Sequence, residues 1–218
     1  MIKGIIFDVD GTLVQLKVDP VKMRTTMIDE LRKKGFDVSS LNFSSYTQTI
    51  LDTATAQIRT GKVDQDAGEL RSHLYSVLDK LELEWNSESA PIDGIEQTLK
   101  KLGDASLKLG VVTNSGRVPA GAILTRHDLQ RHFDFILTRD DVSSMKPDPE
   151  GILKAINILE LPKEDVIYVG DSGIDVRAAK AAGIRIAAVT SGFYTEERLR
   201  QEGSDYILRS ANDLFRIL

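Results

Sequence analysis

The spacing of hydrophobic residues changes along the chain, and it predicts helices first and alternating strands and helices later. Residues 3–8 form a short run of β-branched and aromatic side chains with Gly11 and Thr12 soon after it, which predicts a buried strand. From Asp19 the apolar residues recur every three or four positions, as they do on one face of a helix. Asp19 suits an N-cap and Pro20 the first helical position. Helices are therefore predicted over residues 20–35, 44–59 and 65–83.

After Pro91 short apolar stretches alternate with amphipathic ones. Strands are predicted at 107–113, 133–137, 166–169, 185–189 and 206–208, and helices at 95–102, 118–129, 150–159 and 174–182. Strands separated by single helices imply crossover connections and a parallel sheet with helices on both faces. The sequence therefore predicts an α/β fold with a Rossmann-like, doubly wound parallel sheet as its core.

The helical block after the first strand is predicted to be an insertion into that sheet. Residues 1–14 and 89–218 are assigned to the α/β catalytic core and residues 15–88 to the inserted helical domain. The insertion is long enough to form a small bundle of its own. The stretch from Val14 to Lys17 is the expected hinge.

Composition excludes several classes of function. The chain is 41% hydrophobic and 28% charged, with a formal net charge of −5 and no cysteine. No long Lys/Arg run is present, so no nucleic-acid partner is expected. The apolar start reaches Asp8 at once, too early for a signal peptide or a membrane span, and no later stretch qualifies. We therefore expect a cytoplasmic protein without a membrane partner, acting as a monomer or a homodimer.

Two carboxylates follow the first predicted strand, in the run Asp8-Val9-Asp10-Gly11-Thr12. Side chains two residues apart lie on the same side of an extended backbone, where two carboxylates repel unless a cation lies between them or one is protonated. An acidic turn is the alternative, since Asp-Gly pairs are common in turns. Ligands bind at the carboxyl ends of the strands in open parallel sheets, which favours a functional site here.

Polar residues also follow the next predicted strands, and each of these signals is weaker. Thr113-Asn114-Ser115-Gly116 offers a hydroxyl and backbone N–H groups for an anionic oxygen, but it also suits a helix N-cap. Lys146 precedes Pro147 in a segment that proline stiffens, and a surface lysine is the alternative. Gly170-Asp171 follows the fourth strand with Asp175 one helical turn later, and an N-cap at Asp171 is the alternative.

Taken together, the four motifs resemble those of the haloacid dehalogenase superfamily, specifically its phosphatase branch with a helical cap after the first strand, as in phosphoglycolate phosphatase-like enzymes. The matching runs, in chain order, are Asp8-x-Asp10-Gly-Thr, Thr113-Asn, Lys146-Pro and Gly170-Asp171-x-x-x-Asp175. The resemblance covers nearly the whole chain, with residues 15–88 as the cap. A second acid at position 10 favours phosphatase over dehalogenase chemistry, because a halide leaving group needs no proton.

The resemblance implies a reaction and a metal. Asp8 would be the nucleophile that forms a phosphoaspartate, and Asp10 would protonate the leaving group and then deprotonate water. Mg²⁺ would be the cofactor, held by the Asp8 carboxylate, the Asp10 carbonyl and Asp171, with Asp175 in a supporting position.

The remaining motif residues are implied to hold the substrate, a small phosphate ester. Thr12, Thr113 and Asn114 would bind its phosphoryl oxygens, and Lys146 would both bind it and offset the negative charge during catalysis. The expected function is hydrolysis of a small phosphomonoester of the phosphoglycolate or sugar-phosphate type. A phosphomutase of the same superfamily, a pyrophosphatase and a non-catalytic binding module stay open as alternatives.

Overall fold

The chain divides into two compact units in a computed structural model that describes residues 1–15 and 19–218. One unit consists of Met1–Leu16 together with Glu88–Leu218, and the other of Lys17–Ser87. Leu16 and Lys17 of the expected hinge lie outside the described residues.

The larger unit contains all of the strands found in residues 1–15 and 19–218. In chain order these are β1 (Gly4–Phe7), β2 (Val14–Gln15), β3 (Ala90–Pro91), β4 (Lys108–Val112), β5 (Phe135–Leu137), β6 (Val166–Gly170), β7 (Arg185–Val189) and β8 (Tyr206–Leu208). Six of them form one sheet in the order β5-β4-β1-β6-β7-β8, with every neighbouring pair parallel. β2 and β3 form a separate antiparallel pair, in which Val14 lies opposite Pro91 and Gln15 opposite Ala90.

The helices of the two units are numbered together along the chain. They are α1 (Pro20–Lys33), α2 (Thr47–Arg59), α3 (Ala67–Asn86), α4 (Ile95–Asp104), α5 (Arg117–Arg126), α6 (Glu150–Leu159), α7 (Gly173–Ala182) and α8 (Glu196–Gln201). The predicted α/β class is confirmed, and β2 and β3 are the strands that the periodicity did not indicate. Among the described residues, no helix has both the length and the apolar character that crossing a bilayer requires.

The smaller unit consists of α1, α2 and α3. The carboxylate of Asp19 accepts a hydrogen bond from the N–H of Lys22, so α1 begins with the cap that the sequence predicted. Met27, Ile28 and Leu31 form the buried face of α1, whereas Val21, which falls at the same spacing, is exposed.

The direction in which successive strands are added to the sheet reverses beside β1. From β1 the chain adds β4 and β5 on one side and then β6, β7 and β8 on the other. Ligands of open parallel sheets bind at such a switch point, beyond the carboxyl ends of the strands. On one face of the sheet, Ile6 of β1, Tyr168 of β6 and Ile186 of β7 are buried in one core cluster with residues of α6 and α7.

Candidate active site

Three sequence motifs leave the sheet side by side. Asp8 follows β1, Thr113 follows β4 and Asp171 follows β6, and these are the three neighbouring strands at the switch point. The N–H of Asp8 donates to the carbonyl of Val169 at 2.9 Å, which continues the sheet pairing up to the first candidate residue. The fold thus brings Asp8 and Asp171, which are more than 160 residues apart in sequence, to the carboxyl ends of adjacent strands.

Lys146 joins this group through its ammonium. Its Nζ lies 2.8 Å from Oδ1 of Asp8, 2.7 Å from Oδ1 of Asp175 and 2.7 Å from the hydroxyl of Tyr168. The lysine is only 6% exposed, a depth at which an unpaired ammonium would be strongly destabilising. Its side chain is therefore an internal counter-ion for the carboxylates.

The segment that carries Lys146 is itself anchored. The side-chain amide of Asn114 donates to the carbonyl of Lys146 at 2.9 Å and accepts from its N–H at 3.0 Å. The carboxylate of Glu150, at the start of α6, accepts hydrogen bonds from the N–H groups of Ser143 and Ser144. Asn114 thus uses its side chain to hold Lys146, a contact that the sequence motif did not indicate.

Three buried carboxylates, those of Asp8, Asp171 and Asp175, lie close together. One oxygen each from Asp8, Asp171 and Asp175 lies within 4.8 Å of the other two. Burial raises the pKa of Asp8 to about 7, against the attraction of Lys146 and with further upward contributions from Asp175 and Asp10. Burial, with repulsion from Asp175 and Asp8, also raises the pKa of Asp171. Burial would lower the pKa of Lys146, but Asp175 and Asp8 hold it well above its usual value.

This charge balance fits a divalent cation. Three carboxylates against one ammonium leave an excess of negative charge in a dry environment, and oxygen ligands of this kind are those that Mg²⁺ prefers. The structure therefore provides a donor set of suitable chemistry that includes Asp8.

The Asp171 carboxylate lies between two glycines. The N–H of Phe193 donates to its Oδ2 at 2.8 Å, and a Cβ atom on either Gly11 or Gly192 would overlap that carboxylate. The hydroxyl of Ser191 donates to the carbonyl of Gly11 at 2.8 Å, so the loop after β7 is tied to the turn after β1. Gly11 also has a positive φ of 79°, which other residues adopt only with strain.

Asp175 is held at the start of α7 by a capping box. Its Oδ2 accepts from the N–H of Ser172 at 3.1 Å and from the Ser172 hydroxyl at 2.6 Å, while its Oδ1 faces Lys146. Since both oxygens are engaged by protein groups, the geometry suits the supporting position expected for Asp175.

The side chain of Asp10 is directed differently from that of Asp8. Its Oδ2 accepts a hydrogen bond of 2.7 Å from the hydroxyl of Ser115, and it lies outside the cluster of three carboxylates. Asp10 is also more exposed than Asp8. The two acids of the first motif therefore occupy different environments, as two carboxyl groups with different tasks require.

Of the residues expected to bind the substrate, Thr12 and Thr113 are buried and Asn114 is half-buried. Thr113 is 3% exposed, and its hydroxyl oxygen accepts from the N–H of Ser115 at 3.1 Å, which leaves its hydrogen to donate elsewhere. Thr12 is fully buried, and its hydroxyl makes no hydrogen bond in the structure. Their roles in phosphate binding stay predictions.

Several residues at this site were not identified from the sequence. Tyr168 lies on β6 beneath Lys146, Ser115 contacts Asp10, and Ser172 contacts Asp175. Ser172 has a readable signal, because a serine three residues before an acid at a helix start indicates a capping box. Tyr168 is a polar-tipped side chain in an otherwise aliphatic strand, but the sequence does not say which way its hydroxyl points.

Comparison with known proteins agrees with this geometry. A protein-family model described as haloacid dehalogenase-like hydrolase matches residues 5–189. Pyrophosphatase PpaX of Halalkalibacterium halodurans is 36% identical over 157 residues, which cover 72% of this chain and 70% of that protein. Phosphoglycolate phosphatase of Salmonella typhi is 32% identical over an alignment of 232 positions, which covers 98% of this chain and 91% of that protein.

A solved structure shows the same likeness over the whole chain. The crystal structure of a predicted phosphatase from Clostridium acetobutylicum has a TM-score of 0.68 and 26% identity, and the match covers 99% of this chain and 98% of that one. The resemblance inferred from the four motifs is confirmed. The chain therefore belongs to the haloacid dehalogenase-like hydrolase family and is a phosphatase of that family.

Proposed function

We propose that the protein is a Mg²⁺-dependent phosphatase that hydrolyses a small phosphate ester through a phosphoaspartate on Asp8. The observation that carries the proposal is the surrounding of Asp8, with the Lys146 ammonium 2.8 Å from one oxygen and two further carboxylates within 4.8 Å. A buried carboxylate in contact with a cation, at a strand end on the switch point, is suited to nucleophilic attack on phosphorus.

The cation site would be formed by the Asp8 carboxylate, the Asp10 carbonyl and Asp171, with Asp175 behind them. Bound Mg²⁺ would polarise a phosphoryl oxygen and offset the charge that Asp8 and the substrate bring together. The contacts of Asp171 with Phe193 and the two glycines support this assignment, because they hold its carboxylate in one orientation.

Asp8 would attack phosphorus while the bond from phosphorus to the ester oxygen breaks. Asp10 would give its proton to the departing oxygen and so release an alcohol. A water molecule, deprotonated by Asp10, would then attack the phosphorus of the acyl phosphate, releasing inorganic phosphate and regenerating the Asp8 carboxylate. Lys146 would offset the charge of the phosphoryl group throughout.

The substrate is proposed to be a small phosphomonoester of the phosphoglycolate or sugar-phosphate type. Phosphoglycolate phosphatase of Salmonella typhi, which matches nearly the whole chain, supports that choice. Pyrophosphate is the second candidate, because Pyrophosphatase PpaX of Halalkalibacterium halodurans is more similar in sequence over the shorter stretch that it matches. Helices α1, α2 and α3 are proposed as the cap that selects between such substrates.

The test is a phosphate-release assay on a panel of small phosphomonoesters and pyrophosphate, with Mg²⁺ and with EDTA. Wild-type protein should release phosphate only with Mg²⁺. Asp8→Asn should lose roughly 10³-fold or more of the activity, because it removes the nucleophile but keeps the shape of the side chain. Asp104→Asn, the same substitution at an exposed position at the end of α4, is the control and should keep full activity.

The same assay separates the alternatives. Activity of Asp8→Asn within about tenfold of wild type would reject Asp8 as the nucleophile. A phosphomutase would convert a sugar phosphate without net phosphate release, and a pyrophosphatase would prefer pyrophosphate to every ester. A binding module would show no Mg²⁺-dependent turnover at all.

A further inference from the structure

We propose that Tyr168 is a positioning residue for this reaction, which holds the Lys146 ammonium in line with Asp8 through its phenolic hydroxyl. The inference rests on the proposed function, and it assigns a role to a residue outside the four motifs.

The ammonium of Lys146 has three N–H groups, and the structure offers one acceptor for each. Asp8 Oδ1 lies at 2.8 Å, Asp175 Oδ1 at 2.7 Å and the Tyr168 hydroxyl at 2.7 Å. The ring centroid lies 5.3 Å from Nζ, so the ammonium lies beyond the hydroxyl and not over the face of the ring. Tyr168 therefore contacts the ammonium through its hydroxyl oxygen, as a hydrogen-bond acceptor.

The hydroxyl of Tyr168 is itself oriented. It has one hydrogen, and its best acceptor is the carbonyl of Val112 at 2.8 Å, since Asp175 Oδ1 lies farther away at 3.3 Å. With its hydrogen directed at Val112, the oxygen presents a lone pair to Lys146. Val112 is the last residue of β4 and directly precedes Thr113. Tyr168 is on β6, and β1 lies between β4 and β6. The Tyr168 hydroxyl therefore connects β4 to Lys146.

A neutral acceptor suits this place better than a further carboxylate. Asp8, Asp171 and Asp175 already bring more negative charge than one ammonium can balance. A phenol, neutral at physiological pH, satisfies the third N–H without adding charge that would repel a phosphate ester. A phosphoryl oxygen that takes the place of Asp8 at Lys146 would still find the ammonium aimed by Asp175 and Tyr168.

The experiment compares Tyr168→Phe with wild type and with Tyr206→Phe, the same substitution on β8 at the far edge of the sheet. Circular dichroism and thermal unfolding verify folding of each variant. Should Tyr168→Phe not fold, Tyr168→Met replaces it, because the flexible thioether fills an irregular gap without a hydroxyl.

The first measurement is NMR of the lysine ammonium groups in the protein as purified. Wild type should show one ammonium signal protected from exchange with water, and Lys146→Arg, which lacks that signal, assigns it. In Tyr168→Phe the signal should shift and exchange faster, whereas Tyr206→Phe should leave it unchanged. An unaltered signal in Tyr168→Phe would overturn the contact and with it the inference.

The second measurement is steady-state kinetics with Mg²⁺ on the best ester of the panel. Tyr168→Phe should lower kcat about tenfold or more while KM changes less than about threefold. The reason is that the orientation of the Lys146 ammonium matters most when charge builds up in the transition state. An unchanged kcat, or a rise in KM alone, overturns the inference and leaves the proposed function standing. Absence of turnover in the wild type overturns the proposed function itself.

Discussion

At the scale of single residues, the candidate site is a place where burial and repulsion oppose ionisation. Asp8 and Asp171 have raised pKa values because they are buried near each other and near Asp175, with Lys146 as their internal counter-ion. A folded protein keeps such an arrangement only where the rest of the structure stabilises it, which is common at functional sites.

This arrangement predicts a pH dependence of stability without metal. The Asp8 carboxyl has a pKa of about 7 when folded and about 4 when unfolded. Between these values the folded state binds more protons, so the free energy of unfolding falls as pH rises. In EDTA, Asp8→Asn should therefore gain thermal stability relative to wild type as pH rises from about 5 to about 8, measured as the difference in Tm.

The comparison with Asp8→Asn removes contributions that both proteins share. Burial lowers the pKa of His127 and of His132, and these groups act in the opposite direction in the same pH range. Addition of Mg²⁺ should reduce the difference, because the cation offsets the charge of Asp8. A difference in Tm that is independent of pH would contradict the prediction.

At the scale of elements, the start of α7 links helix stability to the site. Ser172 and Asp175 form a capping box, and the same Asp175 carboxylate receives the Lys146 ammonium. Asp175 therefore both stabilises the start of α7 and contacts Lys146 from there.

Ser172→Ala should therefore affect both stability and activity. Loss of the cap should lower the free energy of unfolding by about 1 kcal/mol. Since Asp175 Oδ2 loses the hydroxyl donor and keeps only the backbone N–H of residue 172, kcat for the best ester should also fall. Thr195→Ala is the matched control, because Thr195 caps α8 by accepting from the N–H of Arg198. It should cost similar stability and leave kcat unchanged, and equal losses of kcat in both variants would count against this account.

At the scale of the whole molecule, the larger unit has its own complete sheet and core. The chain leaves and re-enters that unit along the β2 and β3 pair, where Gln15 lies opposite Ala90. Ends of chain that are paired in this way can be joined by a short turn.

Replacement of residues 17–87 by a short glycine-rich turn should therefore leave a folded α/β unit. It should unfold cooperatively and still hydrolyse an activated aryl phosphate with Mg²⁺, because all four motifs belong to it. Discrimination between natural esters should decline, since the proposed cap is gone. Circular dichroism, thermal unfolding and the phosphate-release panel measure these outcomes, and a chain without cooperative unfolding would show that the larger unit depends on the insertion.

Much of this molecule could be predicted from the sequence because its signals are local. Asp19 and Pro20 mark the start of α1, and the apolar periods indicate β7, β8 and α6 within a residue or two of their bounds. Backbone preferences and the burial of one face act over a few residues, so they are visible in a short window of sequence. The order of Asp8, Thr113, Lys146 and Asp171 along the chain then indicated one site at the strand ends.

Only the tertiary structure decided how those side chains meet. The turn of Asp10 toward Ser115, the use of the Asn114 amide on Lys146, and the Tyr168 hydroxyl between Val112 and the ammonium all join residues distant in sequence. Such contacts depend on strand order and on which face of a strand a side chain occupies, and both follow from packing of the whole sheet. The sequence determines which functional groups are available at this site, whereas the folded chain determines their relative positions.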